Sequence, residues 1–322
     1  MRKKRYLVSV SGGRSSAMLA KLLVDTEKLT PVDVVIGGFY VHTKYVNDNS
    51  EYAFVFANTS REKESCLEFI RDIEIFWGIK ITWVEAQIDF RKNKGTKHKV
   101  VSFETAKRNG EIFEDVIIKY GIPNINFPHC TREMKQVSIR SFMSYIGWGN
   151  WRDYKTILGF RADEPKRTNP ENLVKLNQRW PLWEWRIKKV DVAYFWNRQP
   201  FDLKIDVDAD GNCEACWKKS DLKLLYQAKT NPKGIEWIRE MQTKYSMHKA
   251  GRTGEGMPYN FFRDDRTIDD IIEQYPEIMA MSIEEIKELL NDKSLLEDGA
   301  NHDLLYQLGC EETCEAFTEV ER

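Results

Sequence analysis

The chain has 322 residues, of which 31% are charged and 42% hydrophobic, a composition typical of a globular protein. Its 49 basic and 50 acidic residues give a formal net charge of -1, which excludes a general polycation but permits local basic patches. The apolar stretch after the basic start MRKKR is too short for a secretory signal, and no apolar run is long enough to span a membrane. We therefore expect a cytoplasmic protein without membrane contact.

Strands and helices are predicted to alternate through the first half of the chain. Apolar and β-branched runs predict strands, and apolar residues at helical spacing predict helices. The predicted extended segments are 5–11, 33–41, 52–59, 80–86 and 154–160. The predicted helices cover 16–25, a stretch from Thr59 or Ser60 to Trp77, and the segments 103–120 and 131–147. This alternation predicts an α/β fold, with a doubly wound, mainly parallel sheet and helices on both faces.

Beyond about residue 186 the alternation fades. Helices are predicted near 218–245 and 282–292, and a glycine-rich loop at 251–258. We therefore divide the chain into an α/β domain, 1–186, and a cysteine-bearing, mostly helical C-terminal region, 187–322.

The stretch VSVSGGRSSA, residues 8–17, joins the first predicted strand to the first predicted helix. Two glycines let the backbone approach an anion closely, and the N–H groups that open the helix point towards it. Serine hydroxyls and an arginine fork add donors suited to phosphate or sulfate. The predicted phosphate-binding residues are Ser11, Gly12, Gly13, Arg14, Ser15 and Ser16. The simpler alternative is a glycine-rich turn with a serine helix cap.

The cysteines give a second signal. Cys213 and Cys216 form a CxxC pair, the spacing that places two thiolates around one metal. Cys130 stands at a predicted helix start, where the helix dipole favours a thiolate, and Cys310 and Cys314 offer one or two more ligands. Such a set suits a [4Fe–4S] cluster, with structural zinc as the alternative.

Several segments resemble the phosphoadenosine-phosphosulfate (PAPS) reductase family of the PP-loop superfamily. SGGRSS is similar to the family's loop, including phage and plasmid-borne members that carry SGGR. The further matching segments follow in the family's order: FANTSREKESCLEFI (56–70), HCTREMK (129–135), GFRADEPKR (159–167), WPLWEW and KKVDVAYFW (within 180–196). The resemblance covers about 190 residues and implies the adenine nucleotide alpha hydrolase-like fold.

The resemblance also implies site residues. Beyond the loop, the nucleotide-binding candidates are Asn58, Thr59, Arg132, Lys135, Arg161 and Arg167, with Arg161 also a catalytic candidate. Cys314 or Cys310 is the implied nucleophile. Cys130, Cys213 and Cys216 are the implied cluster ligands, and Cys314 or Cys310 supplies the fourth. The family's usual cysteine pair is broken by Thr131, and its usual C-terminal ending is absent.

The implied function is reductive cleavage of adenylyl sulfate or PAPS to sulfite, with a thioredoxin-like reductant as partner. An ATP-dependent sulfurtransferase that thiolates a base of tRNA or DNA is the alternative, and a non-catalytic nucleotide-binding accessory protein is a third. The basic run RKNKGTKHK, residues 91–99, is interpreted as a solvated loop rather than a nucleic-acid contact, because no aromatic residue interrupts it.

Overall fold

The structure is a computed structural model. It describes residues 3–124, 127–165, 167–205, 210–214, 216–247, 260, 266–291 and 317. Cys310, Cys314 and the loop 251–258 lie outside the described residues.

The strands of the described chain form one mixed sheet. They are β1 (Lys4–Val10), β2 (Thr30–Ile36), β3 (Phe39–Val46), β4 (Ser50–Asn58), β5 (Thr82–Ile88), β6 (Thr96–Val101), β7 (Lys155–Ile157) and β8 (Gln178–Arg179). β1 lies between β4 and β7 and is parallel to both. β5 is parallel to β4, and β8 is parallel to β7. β6 pairs antiparallel with β5, and the hairpin β2–β3 pairs antiparallel with the start of β4. The prediction of an α/β fold with a mostly parallel sheet is confirmed.

The helices of the described residues are α1 (Arg14–Thr26), α2 (Glu64–Trp77), α3 (Glu111–Tyr120), a π-helix (Cys130–Val137), α4 (Ser138–Tyr145), α5 (Glu171–Lys175), α6 (Pro181–Glu184), α7 (Lys189–Trp196), α8 (Asp221–Thr230), α9 (Pro232–Tyr245), α10 (Ile268–Gln274), α11 (Pro276–Ala280) and α12 (Ile283–Asn291). Within the described chain, no helix is both long enough and apolar enough to cross a membrane.

Alternating side chains of the strands build a core on each face of the sheet. Val8 of β1 and Phe56 of β4 belong to the cluster that includes α1, α2 and α7, whereas Leu7 and Val55 belong to the cluster that includes α4. Successive strand residues point to opposite faces, so both faces need apolar cover.

A third apolar cluster joins α3 and the π-helix to the C-terminal helices. Met134 and Val116 pack there with Leu225 of α8, Ile238 of α9 and Ile286 of α12. The cluster contains residues from both sides of position 186.

Two predicted elements differ from the observed ones because of local backbone geometry. The segment 33–41, predicted as one extended run, is split between β2 and β3, since Gly37 and Gly38 adopt φ values of 60° and 86° and form the hairpin turn. The helix predicted from Thr59 or Ser60 begins at Glu64, because Ser60 has φ 64°, a left-handed conformation that cannot continue a helix.

Two further predictions were too broad or too simple. Within 103–120 only Glu111–Tyr120 is helical, and Gly110 with φ 90° precedes that helix. The basic run 91–99 is not only a loop, since its second half forms the edge strand β6.

Candidate functional site: a glycine loop joined to a cysteine loop

The glycine loop lies at the carboxyl end of the central strand. β1 has β4 on one side and β7 on the other, so the chain winds in both directions from it. In open α/β sheets this switch point is where ligands bind. Gly12 has φ 76°, a conformation that favours glycine, and α1 begins two residues later at Arg14. The Ser16 hydroxyl accepts a hydrogen bond from the Ser11 N–H (3.1 Å) and donates to the Gly13 carbonyl oxygen (3.0 Å). The serine thus fixes the loop from within.

Arg14 forms an ion pair across the fold. Its Nε and Nη2 donate to the two carboxylate oxygens of Asp202, at 2.8 and 2.5 Å. Trp196 donates from its indole Nε1 to the Arg14 carbonyl oxygen (3.1 Å), and this bond links α7 to the start of α1. The predicted phosphate-binding guanidinium therefore has one edge occupied by a carboxylate of the protein.

Arg161 reaches the same loop from the segment after β7. Its Nη1 donates to the Ser15 hydroxyl (3.2 Å) and its Nε to Asp163 (3.0 Å), and its side chain is only 3% exposed. Gly159 permits this approach, because a Cβ atom there would lie 2.9 Å from the Cα of Ser16. The structure thus brings Arg161 and the glycine loop together.

Asn58 and Thr59 end β4 at the same edge, and both are buried. The Asn58 amide donates to Glu85 and to the Lys107 carbonyl oxygen, each at 2.8 Å. The Thr59 N–H and hydroxyl donate to the Glu62 carboxylate. These side chains are held by internal hydrogen bonds, and their predicted contact with a nucleotide stays a prediction.

The cysteine loop is attached directly to the glycine loop. The Asn212 amide Nδ2 donates to the Ser11 carbonyl oxygen (2.8 Å) and lies 3.4 Å from the position of a Cβ atom on Gly12. Backbone hydrogen bonds join Lys63 N–H to Asn212 O and Glu214 N–H to Arg61 O. A β-bridge between Glu62 and Cys213 completes the attachment. The first cysteine of the CxxC pair is thus one residue from a contact with the predicted phosphate loop.

Buried charges surround the CxxC pair. Burial raises the pKa of Cys213 well above its ordinary value, and the carboxylate of Glu62 adds to this, while Lys135 and Lys219 oppose it. Burial also raises the pKa of Glu62 and lowers the pKa of Lys219, whose Nζ donates to the Cys213 carbonyl oxygen (2.7 Å). These surroundings therefore favour the neutral forms of the thiol, the carboxyl and the amine, unless a cation or a metal stabilises the thiolates.

Cys130 begins the π-helix, a rare conformation that occurs often at functional sites. Cys130 and Cys213 pack against the same apolar cluster. Among the residues that the structure covers, no group of three or more His, Cys, Asp and Glu side chains is arranged to hold a metal ion. Cys213 and Cys216 have the spacing of a ligand pair, and the proposed cluster with Cys130 and a C-terminal cysteine stays a prediction.

The remaining predicted cations lie in different surroundings. Arg167 donates to Glu164 (2.6 Å), whose other carboxylate oxygen accepts from the Arg161 N–H. Lys135 lies near Glu62 and Cys213. Arg132 pairs with Glu133 and lies 5.9 Å from the Tyr120 ring centre.

Sequence reasoning missed four residues of this site. Asp202 and Lys219 belong to no segment that the sequence singled out, and Glu62, although it lies within 56–70, and Asn212 were not named as site residues. Asn212 adjoins the CxxC pair, and this position was the one available signal.

The chain is similar along almost its whole length to a phage protein. It is 28% identical to the uncharacterized nin region protein ORF290 of Escherichia phage lambda over 317 residues, which are 97% of this chain and 94% of that protein. No protein-family model matches the chain, and no solved structure matches it.

Proposed function

We propose that the chain is a sulfonucleotide reductase of the PP-loop type. The observation that carries the proposal is the Asn212–Ser11 hydrogen bond, which joins a thiol-bearing loop to a glycine loop at the switch point of a mostly parallel sheet. In the proposed reductase the glycine loop is the anion cradle, and the thiol-bearing loop joined to it holds the metal.

The nucleotide's phosphate and sulfate groups would lie against the N–H groups of Gly12–Ser16, which open α1. Arg161, held by Ser15 and Asp163, would stabilise charge that develops on the sulfonyl oxygens. Since Arg161 is buried, its guanidinium is oriented before the substrate arrives, and little reorganisation is needed.

The proposed reaction has two steps. A C-terminal thiolate, of Cys314 or Cys310, attacks the sulfur of adenylyl sulfate or PAPS; a sulfur–sulfur bond forms, and the nucleotide phosphate leaves with the electron pair of the broken sulfur–oxygen bond. A thioredoxin-type dithiol then attacks the cysteine sulfur and releases sulfite. The dithiol becomes a disulfide, and the protein thiol is restored.

A thiolate-held metal belongs to the proposal as a structural component. Cys213 and Cys216 would hold it from one loop, with Cys130 and a C-terminal cysteine as the other ligands of a [4Fe–4S] cluster. Iron and zinc analysis of anaerobically purified protein, with the visible absorbance spectrum, tests this component by itself. The expected result is about four iron atoms per chain. Stoichiometric zinc would instead show that the site holds zinc and not a cluster.

The activity is tested by sulfite release from adenylyl sulfate and from PAPS with a thioredoxin-type reductant. Cys314→Ser or Cys310→Ser should abolish it, and Cys66→Ala, which removes a buried thiol with a pKa of about 12, should not. Sulfite release that survives both C-terminal substitutions would contradict the mechanism. Pyrophosphate release from ATP in the presence of RNA or DNA, without sulfite release, would instead support the sulfurtransferase alternative.

A further inference from the structure

The basic run 91–99 begins beyond the edge of the sheet that carries the candidate site. Thr82 of β5 and Ser9 of β1 both align with Val55 of β4, so the end of β5 at Ile88 lies six residues further along the sheet. At about 3.3 Å per residue, the loop after Ile88 begins about 13 Å beyond Ser11, and about 10 Å to the side. The loop that follows β5 therefore lies beyond the same edge of the sheet as the glycine loop.

The lysines of the run 91–99 are exposed, and the run has more basic than acidic residues. Lys92, Lys94, Lys97 and Lys99 are exposed, and of these lysines and Arg91 only Arg91 has a carboxylate partner, Asp89, among the hydrogen bonds and ion pairs described for 90–99. The segment 90–99 contains no acidic residue, although the whole chain carries a net charge of -1. Lys119 donates to the carbonyl oxygens of Asp89 and Lys94 and so holds the loop in place.

Aromatic residues border this run: Phe90 precedes Arg91, and the Tyr120 hydroxyl lies 3.3 Å from the Thr96 hydroxyl. Phe90 is 56% exposed and Phe127 is 42% exposed. A series of contacts leads from the loop through Lys119 and Tyr120 to His129, whose ring lies 5.7 Å from Tyr120 and 5.9 Å, nearly parallel, from Phe127. Arg132 lies over Tyr120 in the same series. The sequence alone did not show this arrangement, because Tyr120, Phe127 and His129 come from other segments.

We propose that this surface, the basic strip (Phe90–Lys99 with Tyr120, Phe127, His129 and Arg132), binds single-stranded nucleic acid across the carboxyl edge of the sheet. Lysines and an arginine neutralise backbone phosphates, and exposed rings offer stacking platforms for unpaired bases. Edge-strand lysines that merely prevent sheet pairing would account for Lys97 and Lys99. They would not account for Lys92 and Lys94 in the loop or for two exposed phenylalanines. The inference goes beyond the proposed reductase activity and does not depend on it.

The test is equilibrium binding of the full chain to fluorescein-labelled 20-nucleotide RNA, DNA of the same sequence, and the DNA duplex, measured by anisotropy between 50 and 200 mM salt. The triple variant Lys92→Glu/Lys94→Glu/Lys97→Glu should weaken single-strand binding at least tenfold and reduce the slope of log K against log salt by about 2. The matched triple Lys28→Glu/Lys175→Glu/Lys233→Glu changes the net charge equally at exposed lysines elsewhere and should bind within threefold of the wild type.

Phe90→Ala with Phe127→Ala should weaken single-strand binding about tenfold without changing the salt slope. The stronger of the RNA and DNA arms identifies the natural strand type. Equal loss in the two charge-reversal triples would overturn the proposal. So would duplex binding as tight as single-strand binding together with no effect of the phenylalanine substitutions. None of these measurements requires a sulfonucleotide, so their failure is distinct from failure of the reductase proposal.

Discussion

Gly159 allows the segment after β7 to touch the start of α1. A Cβ atom at this position would lie 2.9 Å from the Ser16 Cα and 3.0 Å from the Ser16 backbone nitrogen, and neither is the end of a flexible side chain. We expect Gly159→Ala to lower the free energy of unfolding by about 1–3 kcal/mol and to weaken nucleotide binding by displacing the helix start. Urea denaturation and nucleotide titration measure the two effects. Gly95→Ala is the control, because no atom lies within 4 Å of its added Cβ; equal effects of both substitutions would contradict the argument.

His42 makes the fold sensitive to acid. It is buried in β3 against the ring of Phe142. Burial, with a smaller contribution from Lys44, lowers the pKa of His42 from 6.5 to about 4. Below pH 6.5 the unfolded chain binds a proton that the folded protein excludes, so the free energy of unfolding falls as the pH decreases towards about 4.

The fall attributable to His42 approaches about 1.4 kcal/mol per pH unit, or about 3 kcal/mol in total. His42→Leu should therefore show a shallower loss of stability between pH 6.5 and 4 than the wild type in urea titrations. His129, whose pKa burial also lowers to about 4, accounts for part of the slope that remains. An unchanged slope in the variant would show that the His42 proton is not excluded.

Among the site residues, the sequence predicted those that lie in motifs and missed those that tertiary packing brings to the site. Ser16 and Gly12 belong to a local pattern whose geometry follows from neighbouring residues. Asp202 reaches Arg14 only because aromatic residues of α2, α7 and the segment after α7 pack together around Phe201. No spacing in the sequence encodes that approach.

A buried tryptophan, Trp196, joins helix α7 to the start of helix α1. Trp196 is 2% exposed, packs against Phe69 and Trp77, and donates to the Arg14 carbonyl oxygen. We expect Trp196→Ala to lower the free energy of unfolding by about 3–5 kcal/mol, because it leaves a cavity in the aromatic core. The control is Tyr194→Ala on the same helix, an exposed position that should cost less than about 1 kcal/mol. A small loss at Trp196, measured by chemical denaturation, would mean that α7 is held by other contacts.

Element types were predicted better than element boundaries. The strand at 5–11 and the helix that follows it were placed within two residues of β1 and within two residues of the start of α1, because their periodicity is strong. The start of α2 was missed, since Thr59 and Ser60 resemble helix caps but instead bond to Glu62 and to the backbone of α3. Strand β6 was missed because alternating lysines on an edge strand resemble a polar loop.

For the molecule as a whole, the alternation of strands and helices was sufficient to predict a mostly parallel sheet. It did not predict the antiparallel additions, β6 and the hairpin β2–β3, which depend on turns rather than on crossover helices. It also could not show that a residue near the end of the chain packs against the centre.

Phe317 is that residue. It is buried in the core on the α4 face, and its carbonyl oxygen accepts a hydrogen bond from Gln178 of β8 (2.6 Å). We expect Phe317→Ala to lower the free energy of unfolding by about 3 kcal/mol, as measured by urea denaturation. Val174→Ala, at a position 88% exposed, should leave stability unchanged within about 0.5 kcal/mol. Equal stabilities of the two variants would show that Phe317 is not anchored in the core.

The Arg14–Asp202 pair has a consequence for how any anion enters. A ligand that takes the Nε–Nη2 edge of Arg14 exchanges one negative group for another, so the guanidinium gains no new counter-charge. The Asp202 carboxylate, which also accepts from the Leu203 N–H, must then exchange the guanidinium for water. Binding of an anion at Arg14 is therefore coupled to the conformation of the segment that follows α7.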